Sequence, residues 1–242
     1  MSEVKLIPFG ERAILVEFGR GINLETHKKV KALTNSLERQ PFEGMVEYVS
    51  AFSSVTVSYD PVKIRGWQRE QGKLEAAVYE TVTALLAGSI AKMEQEEAAQ
   101  PRQVRIPVCY GGEFGPDLTF VAEHNGCTPE EIVAIHSAGR YLVYMLGFAP
   151  GFPYLGGMSD KIAAPRRQAP RTEIPAGSVG IAGLQTGIYP IATPGGWQLI
   201  GRTPLALFCP NKQPPTLLQS GDLISFYPIS PAEYAQYKGE GT

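Results

Sequence analysis

The spacing of hydrophobic and polar residues in the first third of the chain predicts a small α+β domain. Short apolar runs interrupted by glycine or proline indicate strands, and apolar residues that recur every three or four positions indicate helices with one buried face. Asn23 precedes the first helical stripe and carries the side chain expected of an N-cap. The predicted order is a strand over 4–9, a strand over 12–18, a helix from Asn23 to Pro41, strands over 45–52 and 54–60, and a helix from Gly66 to Ala87. This ββαββα order predicts an antiparallel sheet with helices over one face.

A polar segment with clustered glutamates separates this region from the rest of the chain. It contains Glu94, Glu96 and Glu97 and a proline near its end. This composition is typical of a linker, or of a fraying helical extension that runs into one. We therefore expect a ββαββα domain over 1–88, a linker over 89–103 and a second domain over 104–242.

The second predicted domain is dominated by short apolar runs between glycine and proline turns. Most of the 26 glycines and 20 prolines lie in it, which favours a β-barrel or sandwich over a helical or doubly wound domain. Two helices are expected, one over 117–124 that ends at Gly126 and one that begins at Thr128 with a capping box and runs through His136. The predicted strands are VRIPVCY, YLVYML, GSVGIAG, GIYPIA, WQLIG, LALF and DLISFY.

Composition and cysteine content predict a soluble cytoplasmic protein. Hydrophobic residues make up 43% of the chain and charged residues 19%, and no run of about 18 apolar residues predicts a membrane span. The first residues lack the pattern of a secretory signal. Cys109, Cys127 and Cys209 are widely spaced and form no CxxC pair, so we expect reduced thiols and no metal site.

Charge is distributed unevenly along a chain whose formal net charge is −2. Between Ile162 and Ser220 the single acidic residue is Glu173. The basic residues of the same stretch are Arg166, Arg167, Arg171, Arg202 and Lys212. Such local asymmetry favours an anionic ligand or partner over a nucleic acid, although the arginines can also be ordinary surface charges.

Familiar catalytic and nucleotide-binding motifs are missing from the sequence. Ser178 lies in GSVG rather than in G-x-S-x-G, and the glycines around it do not follow the spacing of a phosphate-binding loop. Tight turns of a barrel are an alternative explanation for these glycines. The sequence therefore assigns no catalytic residue and no ATP-binding motif to this chain.

The polar residues of the basic stretch suit recognition of a small anionic ligand. Arg166 and Arg171 each follow a proline and can clamp a carboxylate or phosphate bidentately. His136 falls in the last turn of the capped helix, where the helix dipole favours its protonated form, although many such histidines are inert. The expected substrate-binding residues are His136, Arg166, Arg171, Gln185, Thr186, Tyr189 and Arg202.

An aromatic segment, GFAPGFPYLGG, precedes the basic stretch. Its backbone is too rich in glycine and proline for a core strand. Phe148, Phe152 and Tyr154 therefore shape a pocket, contact a partner protein or tuck inward.

Five motifs together carry a resemblance to a known family. The segments PVCYGGEFGPDL, GFAPGFPYLGG, PAGSVGIAG, QTGIYP and PGGWQLIGRTP, with GERAILVEFG near the start, resemble the allophanate hydrolase subunit 1 family over nearly the whole chain. The resemblance implies an α+β N-terminal domain followed by a mainly-β, cyclophilin-like barrel. Prolyl isomerase activity does not follow from that fold.

The resemblance also implies a function. Members of this family include subunits of a three-component bacterial 5-oxoprolinase, which opens the lactam of 5-oxoproline to L-glutamate with hydrolysis of ATP to ADP and phosphate. The implied partners are 5-oxoprolinase subunits A and C, and other subunits are expected to contribute to the ATP step. The alternative is a Kip-type inhibitor that docks on the dimerisation domain of a sporulation sensor histidine kinase, with Phe148, Phe152 and Tyr154 as its contact surface. No nucleic acid or membrane partner is implied.

Overall fold

The computed structural model describes residues 4–21, 23–93 and 100–239, and the chain divides into two compact units between Gln100 and Pro101. Each unit has its own hydrophobic core. Among the helices of the described residues, none is long and apolar enough to cross a membrane.

The first unit is an α+β sandwich. Over its described residues, four strands form an antiparallel sheet in the order β1-β2-β4-β3. Every second residue of the central strands β2 and β4 is buried against the helices, which is the pattern of a sheet covered on one face. The elements are β1 (Lys5–Pro8), β2 (Ala13–Glu17), α1 (Leu24–Arg39), β3 (Met45–Ser50), β4 (Ser54–Tyr59), α2 (Pro61–Glu70) and α3 (Val78–Met93).

The helices of this unit confirm one prediction and correct another. Asn23 caps α1 as expected, because its side chain accepts a hydrogen bond of 2.7 Å from the Thr26 N–H. The single helix predicted from Gly66 to Ala87 is wrong, since α2 and α3 occupy that region. Asp60 and Pro61, which the sequence pattern assigns to the end of a strand, are the N-cap and first residue of α2, and Asp60 accepts a hydrogen bond from the Val62 N–H at 2.9 Å.

The predicted linker over 89–103 overlaps the last helix of the first unit and the first strand of the second. Residues 89–93 belong to α3, residues 94–99 lie outside the described residues, and Gln103 begins the first strand of the second unit.

The second unit is built on a closed barrel, which confirms the predicted fold class. Within residues 100–239, seven strands close in the order β10-β7-β6-β13-β5-β12-β9, with β13 and β5 parallel and the other pairs antiparallel. A two-stranded ribbon, β8 with β11, is separate from the barrel. The strands are β5 (Gln103–Tyr110), β6 (Tyr141–Leu146), β7 (Pro153–Gly156), β8 (Arg171–Ile174), β9 (Ser178–Ala182), β10 (Gln185–Ile188), β11 (Thr193–Gly195), β12 (Gln198–Arg202) and β13 (Leu223–Pro228).

Both predicted helices of this unit are present. They are α4 (Leu118–Asn125) and α5 (Pro129–Ala138), and α6 (Pro231–Gly239) follows the last strand. Thr128 caps α5 with the complete capping box. The predicted strand LALF is wrong, because a single bridge between Phe208 and Thr216 is the β-structure at that point.

A polar chain runs through the apolar interior of the barrel. Thr186 donates to the Gly180 carbonyl at 3.0 Å, so the Nε2 of His136, 3.0 Å from the same hydroxyl, must carry the hydrogen and donate to it. The Nδ1 of His136 then accepts from the Tyr110 hydroxyl at 2.8 Å. Burial lowers the pKa of His136 to about 3. The expectation that the helix dipole keeps His136 protonated is therefore wrong, because desolvation exceeds the dipole effect.

The loop between β5 and α4 lies directly against β12. A Cβ on Gly115 would come within 2.1 Å of the Ile200 carbonyl oxygen. The next residue but one, Asp117, donates its N–H to the Leu199 carbonyl at 2.9 Å. Gly115 therefore lets the chain bring Asp117 up to the strand.

We expect the neutral state of His136 to make barrel stability depend on pH. Because the folded pKa of about 3 lies below the ordinary value of 6.5, the unfolded state binds the additional proton as pH falls. The free energy of unfolding of wild type should therefore fall by about 1.4 kcal/mol per pH unit below about pH 6.5, relative to that of His136→Gln. Urea unfolding followed by Trp197 fluorescence in a Trp67→Phe background measures this difference. If the unfolding free energies of the two proteins differ by the same amount at about pH 7 and at about pH 5, His136 is not held neutral in the folded state.

We expect Gly115→Ala to destabilise the barrel by about 3 kcal/mol, because the added methyl group meets a backbone carbonyl that cannot move independently. Gly88→Ala is the control, since Gly88 lies within α3 with open space around it and should gain up to about 1 kcal/mol. Thermal unfolding of both variants checks the expectation. Equal stability of the two variants contradicts it.

Candidate functional site: an arginine and aromatic cluster on the barrel

A second, smaller hydrophobic cluster lies apart from the main barrel core. Along β10 the side chains of Thr186 and Ile188 point into the barrel, and Tyr189 just after the strand belongs to the second cluster. Phe152, Tyr189 and Trp197 meet edge to face there, with ring centroids 5.4 to 6.3 Å apart. The cluster also includes Ile174 of the ribbon, which places the ribbon over this face of the barrel.

The aromatic segment GFAPGFPYLGG does contain a core strand, contrary to expectation, because its last part forms β7 of the barrel. The aromatic loop between β6 and β7 forms the rim of the cluster. Phe148 is 65% exposed and has a positive φ of 66°, a backbone conformation that is uncommon for a bulky residue. Its ring packs edge to face on Phe152 with centroids 5.4 Å apart. Phe152 is buried and Tyr154 is half-buried. Of the three residues expected to contact a partner, Phe148 therefore has the greatest accessibility to another protein, and the contact itself stays a prediction.

Three arginines and one aspartate lie beside the aromatic cluster. Arg171 donates to both carboxylate oxygens of Asp117, at 2.8 and 2.9 Å, and Arg167 donates to one of them at 3.1 Å. The side chain of Asp117 is 8% exposed, compared with 36% for Arg167 and 23% for Arg171. Arg171, which is expected from the sequence to clamp a ligand carboxylate, therefore clamps a carboxylate of its own chain.

Arg166 and Arg167 retain hydrogen-bond donors that the protein does not use. Arg166 is exposed and forms no ion pair with any described residue. The Nε of Arg167 is buried and has no hydrogen-bond partner among the described residues. Buried donors are normally paired in proteins, and Arg202 Nε is a second exception, outside this cluster.

Tyr189 connects the aromatic and the basic halves of the cluster. Burial raises the pKa of its hydroxyl, although the Trp197 backbone N–H donates to it and the charges of Arg166 and Arg171 act in the opposite direction. The hydroxyl is therefore protonated at neutral pH. Its own hydrogen has no acceptor among the residues that the structure describes, so Tyr189 can donate to a ligand.

The structure separates the seven residues expected to bind substrate into distinct places. Arg166, Arg171 and Tyr189 come together in the cluster just described. His136 and Thr186 are fully buried inside the barrel and bond to each other. Two further predicted residues have other surroundings: Gln185 is half-buried on β10, and Arg202 lies 5.9 Å from the Phe114 ring and hydrogen-bonds with Tyr234.

Sequence reasoning missed Asp117 and Trp197, and it counted Arg167 in the basic stretch without naming it as a binding residue. The signal available for Asp117 was local, because an aspartate before a helix predicts an N-cap. In the structure its side chain caps nothing and bonds instead to residues 50 and 54 positions later.

The cluster is equipped to bind an anion rather than to attack a substrate. The ion pairs of its described residues join two of its three guanidinium cations to one carboxylate, so the balance of these groups is positive. No histidine, cysteine or serine takes part in it. Within 4–21, 23–93 and 100–239, no three metal-binding side chains gather at one point.

Comparison with known proteins agrees with the sequence motifs. The family described as carboxyltransferase domain, subdomain C and D, matches residues 4–218. A relative from Bacillus subtilis (strain 168), named as the B-type subunit of 5-oxoprolinase, is 52% identical and covers 96% of this chain and 95% of its own. A protein of the same name from Escherichia coli O157:H7 is 38% identical, and the match covers 94% of this chain and 97% of that protein.

Solved structures show the same fold. The crystal structure of TTHA0988 superimposes with a TM-score of 0.76 at 34% identity over 90% of this chain. This chain spans 40% of the length of that one. PH0987 from Pyrococcus horikoshii is 44% identical and superimposes with a TM-score of 0.54. The match covers 95% of this chain and 100% of that one.

These matches extend over almost the whole chain and confirm the resemblance that the motifs indicated. The chain therefore belongs to the family of the carboxyltransferase domain, subdomain C and D, together with the relatives named as B-type subunits of 5-oxoprolinase.

Proposed function

We propose that the chain is a subunit of an ATP-dependent 5-oxoprolinase and that its arginine and aromatic cluster binds the carboxylate of 5-oxoproline. The names of the relatives support the reaction. The observation that carries the site is a set of unused donors in one basic cluster, namely the exposed Arg166 guanidinium, the Nη–H groups of Arg167 that Asp117 does not use, and the Tyr189 O–H.

The chemistry of the substrate fits these donors. At neutral pH 5-oxoproline carries one carboxylate, and its lactam ring presents one N–H donor and one carbonyl acceptor. Arg166 supplies charge and Tyr189 supplies a neutral donor, a combination that holds a carboxylate in one orientation. The apolar surface of Trp197 and Phe152 beside them suits the ring carbons. His136 and Thr186 act as a structural link inside the barrel, since their polar atoms bond to each other, to Tyr110 and to the Gly180 carbonyl.

The proposed reaction activates the lactam with ATP. The lactam carbonyl oxygen takes the γ-phosphoryl group and ADP leaves. One water adds to the activated carbon and the C–N bond breaks, which leaves the amine of glutamate and an acyl phosphate. A second water releases phosphate and gives the side-chain carboxylate. This chain contributes binding and orientation, and the ATP site belongs to partner subunits, for which the expected candidates are subunits A and C.

The exposed Phe148 is the proposed contact with another component of the complex. A large aromatic side chain in a left-handed backbone conformation on a loop tip has the character of an interface anchor. Inhibition of a sensor histidine kinase through the same loop stays a prediction of the sequence resemblance.

We expect ATP-dependent release of glutamate from 5-oxoproline only when this chain is mixed with both partner subunits, and not with the chain alone or the partners alone. The physical reason is that the chain carries ligand donors and no nucleotide motif. Coupled assay of glutamate and ADP measures the activity. An assembled mixture that binds ATP yet releases no glutamate contradicts the proposal and favours the kinase-inhibitor alternative.

We expect Arg166→Gln to raise KM for 5-oxoproline about tenfold to a hundredfold with little change in kcat, because one charged hydrogen bond to the carboxylate is lost equally from bound substrate and transition state. Arg140→Gln is the matched control, since Arg140 is an exposed arginine at the other end of β6 from the aromatic loop. Steady-state kinetics of the reconstituted complex checks this. A KM that is equal in the two variants excludes Arg166 from the site.

A further inference from the structure

Both carboxylate oxygens of Asp117 accept two hydrogen bonds each from residues of this cluster. One oxygen accepts from Arg171 Nη2 at 2.8 Å and Arg167 Nη1 at 3.1 Å, and the other accepts from Arg171 Nη1 at 2.9 Å and the Leu199 backbone N–H at 2.7 Å. A carboxylate offers about four acceptor positions. Its bonds therefore fix the directions of two guanidinium groups at once.

Because the Asp117 carboxylate bonds to the arginines, it does not cap the helix that begins after it. Asp117 occupies the N-cap position of α4, where an aspartate normally accepts from the first turn of the helix, and no such bond is present. The position of its main chain is set independently, by the N–H donated to Leu199 and by the close approach of Gly115 to Ile200. The carboxylate is thus held by β12 and directed at the arginines rather than at its own helix.

Each guanidinium held by Asp117 keeps donors for a ligand. The bidentate contact uses two of the five N–H groups of Arg171, and the single contact uses one of the five of Arg167. Three guanidinium cations face one carboxylate, so the cluster keeps a positive balance and Arg166 stays unpaired among the described residues. Full neutralisation of the site would need an acid for each arginine.

We propose that Asp117 is a positioning residue that aligns Arg167 and Arg171 for the ligand carboxylate, with Arg166 as the cation that binds it directly. This inference rests on the proposed function, since it takes the cluster as the substrate site. Asp117 itself does not touch the ligand, because its oxygens are all occupied and its like charge repels a carboxylate.

A second ion pair of this unit, also formed by a buried aspartate, provides a matched comparison. Asp222 accepts from Arg102 Nε at 2.9 Å and Nη2 at 2.5 Å, and from the Gln219 backbone N–H at 2.7 Å. Its side chain is 5% exposed, close to the 8% of Asp117. Asp222 therefore shares the burial, the arginine and the backbone contact of Asp117, and it lies outside the arginine and aromatic cluster.

The test compares Asp117→Asn with Asp222→Asn in two measurements. The first is KM and kcat of the reconstituted complex. The second is titration of the ¹⁵N-labelled chain alone with 5-oxoproline, followed at the arginine Nε–H and tryptophan indole signals. We expect Asp117→Asn to raise KM and the dissociation constant at least about tenfold with kcat within about threefold, whereas Asp222→Asn changes neither by more than about twofold.

Equal effects of the two substitutions on KM and on the dissociation constant, with wild-type activity intact, overturn the positioning role and leave the proposed function standing. Binding by the wild-type chain that Asp117→Asn weakens, with no glutamate release in any assembled mixture, supports the positioning role and overturns the 5-oxoprolinase proposal. Absence of binding by the wild-type chain overturns the inference itself. If Asp117→Asn does not fold, Asp117→Glu takes its place, because it keeps the charge and displaces it by one methylene. It should raise KM in the same direction.

Discussion

The arrangement of the candidate site depends on one buried carboxylate that holds two arginines against a strand of the barrel. Guanidinium groups on flexible side chains lose conformational freedom when they bind a ligand, and a fixed internal partner removes part of that loss beforehand. Asp117 provides that partner through the main chain of Leu199, so the orientation of Arg167 and Arg171 follows from the backbone of β12. The glycine at position 115 is part of the same arrangement, because a side chain there would push Asp117 away from the strand.

The barrel serves two purposes because its strands have two faces. The inner face of β10 contributes Thr186 to the polar chain through His136, and this chain links strand, helix and Tyr110 through uncharged groups. On the other side, Tyr189 joins the aromatic cluster beneath the arginines. The residues proposed to bind the ligand therefore lie on a different face of the barrel from the residues that stabilise its interior. This separation allows a charged site on a barrel with an apolar core.

Much of the fold could be predicted from local sequence, and the site could be predicted in part. Asn23 and its apolar stripe located α1, Gly126 marked the end of α4, and the capping box at Thr128 located α5, because those signals act within four residues. Asp60–Pro61 gave a wrong prediction, since the same dipeptide ends a strand or begins a helix. The basic stretch drew attention to Arg166 and Tyr189, which the structure brings into one cluster and whose binding role stays a proposal. The pairing of Arg171 with Asp117 connects residues 54 positions apart, and no local pattern reports such a contact. His136 shows the same limit, because its helix position was visible in the sequence and its burial was not.

The most direct test of this account is a crystal structure of the chain with 5-oxoproline bound. The account predicts that the ligand carboxylate lies within about 3 Å of the Arg166 guanidinium and the Tyr189 hydroxyl, with Asp117 still paired to Arg171. A ligand bound at Arg202, or one whose carboxylate pairs with Arg171 after Asp117 has been displaced, would contradict it.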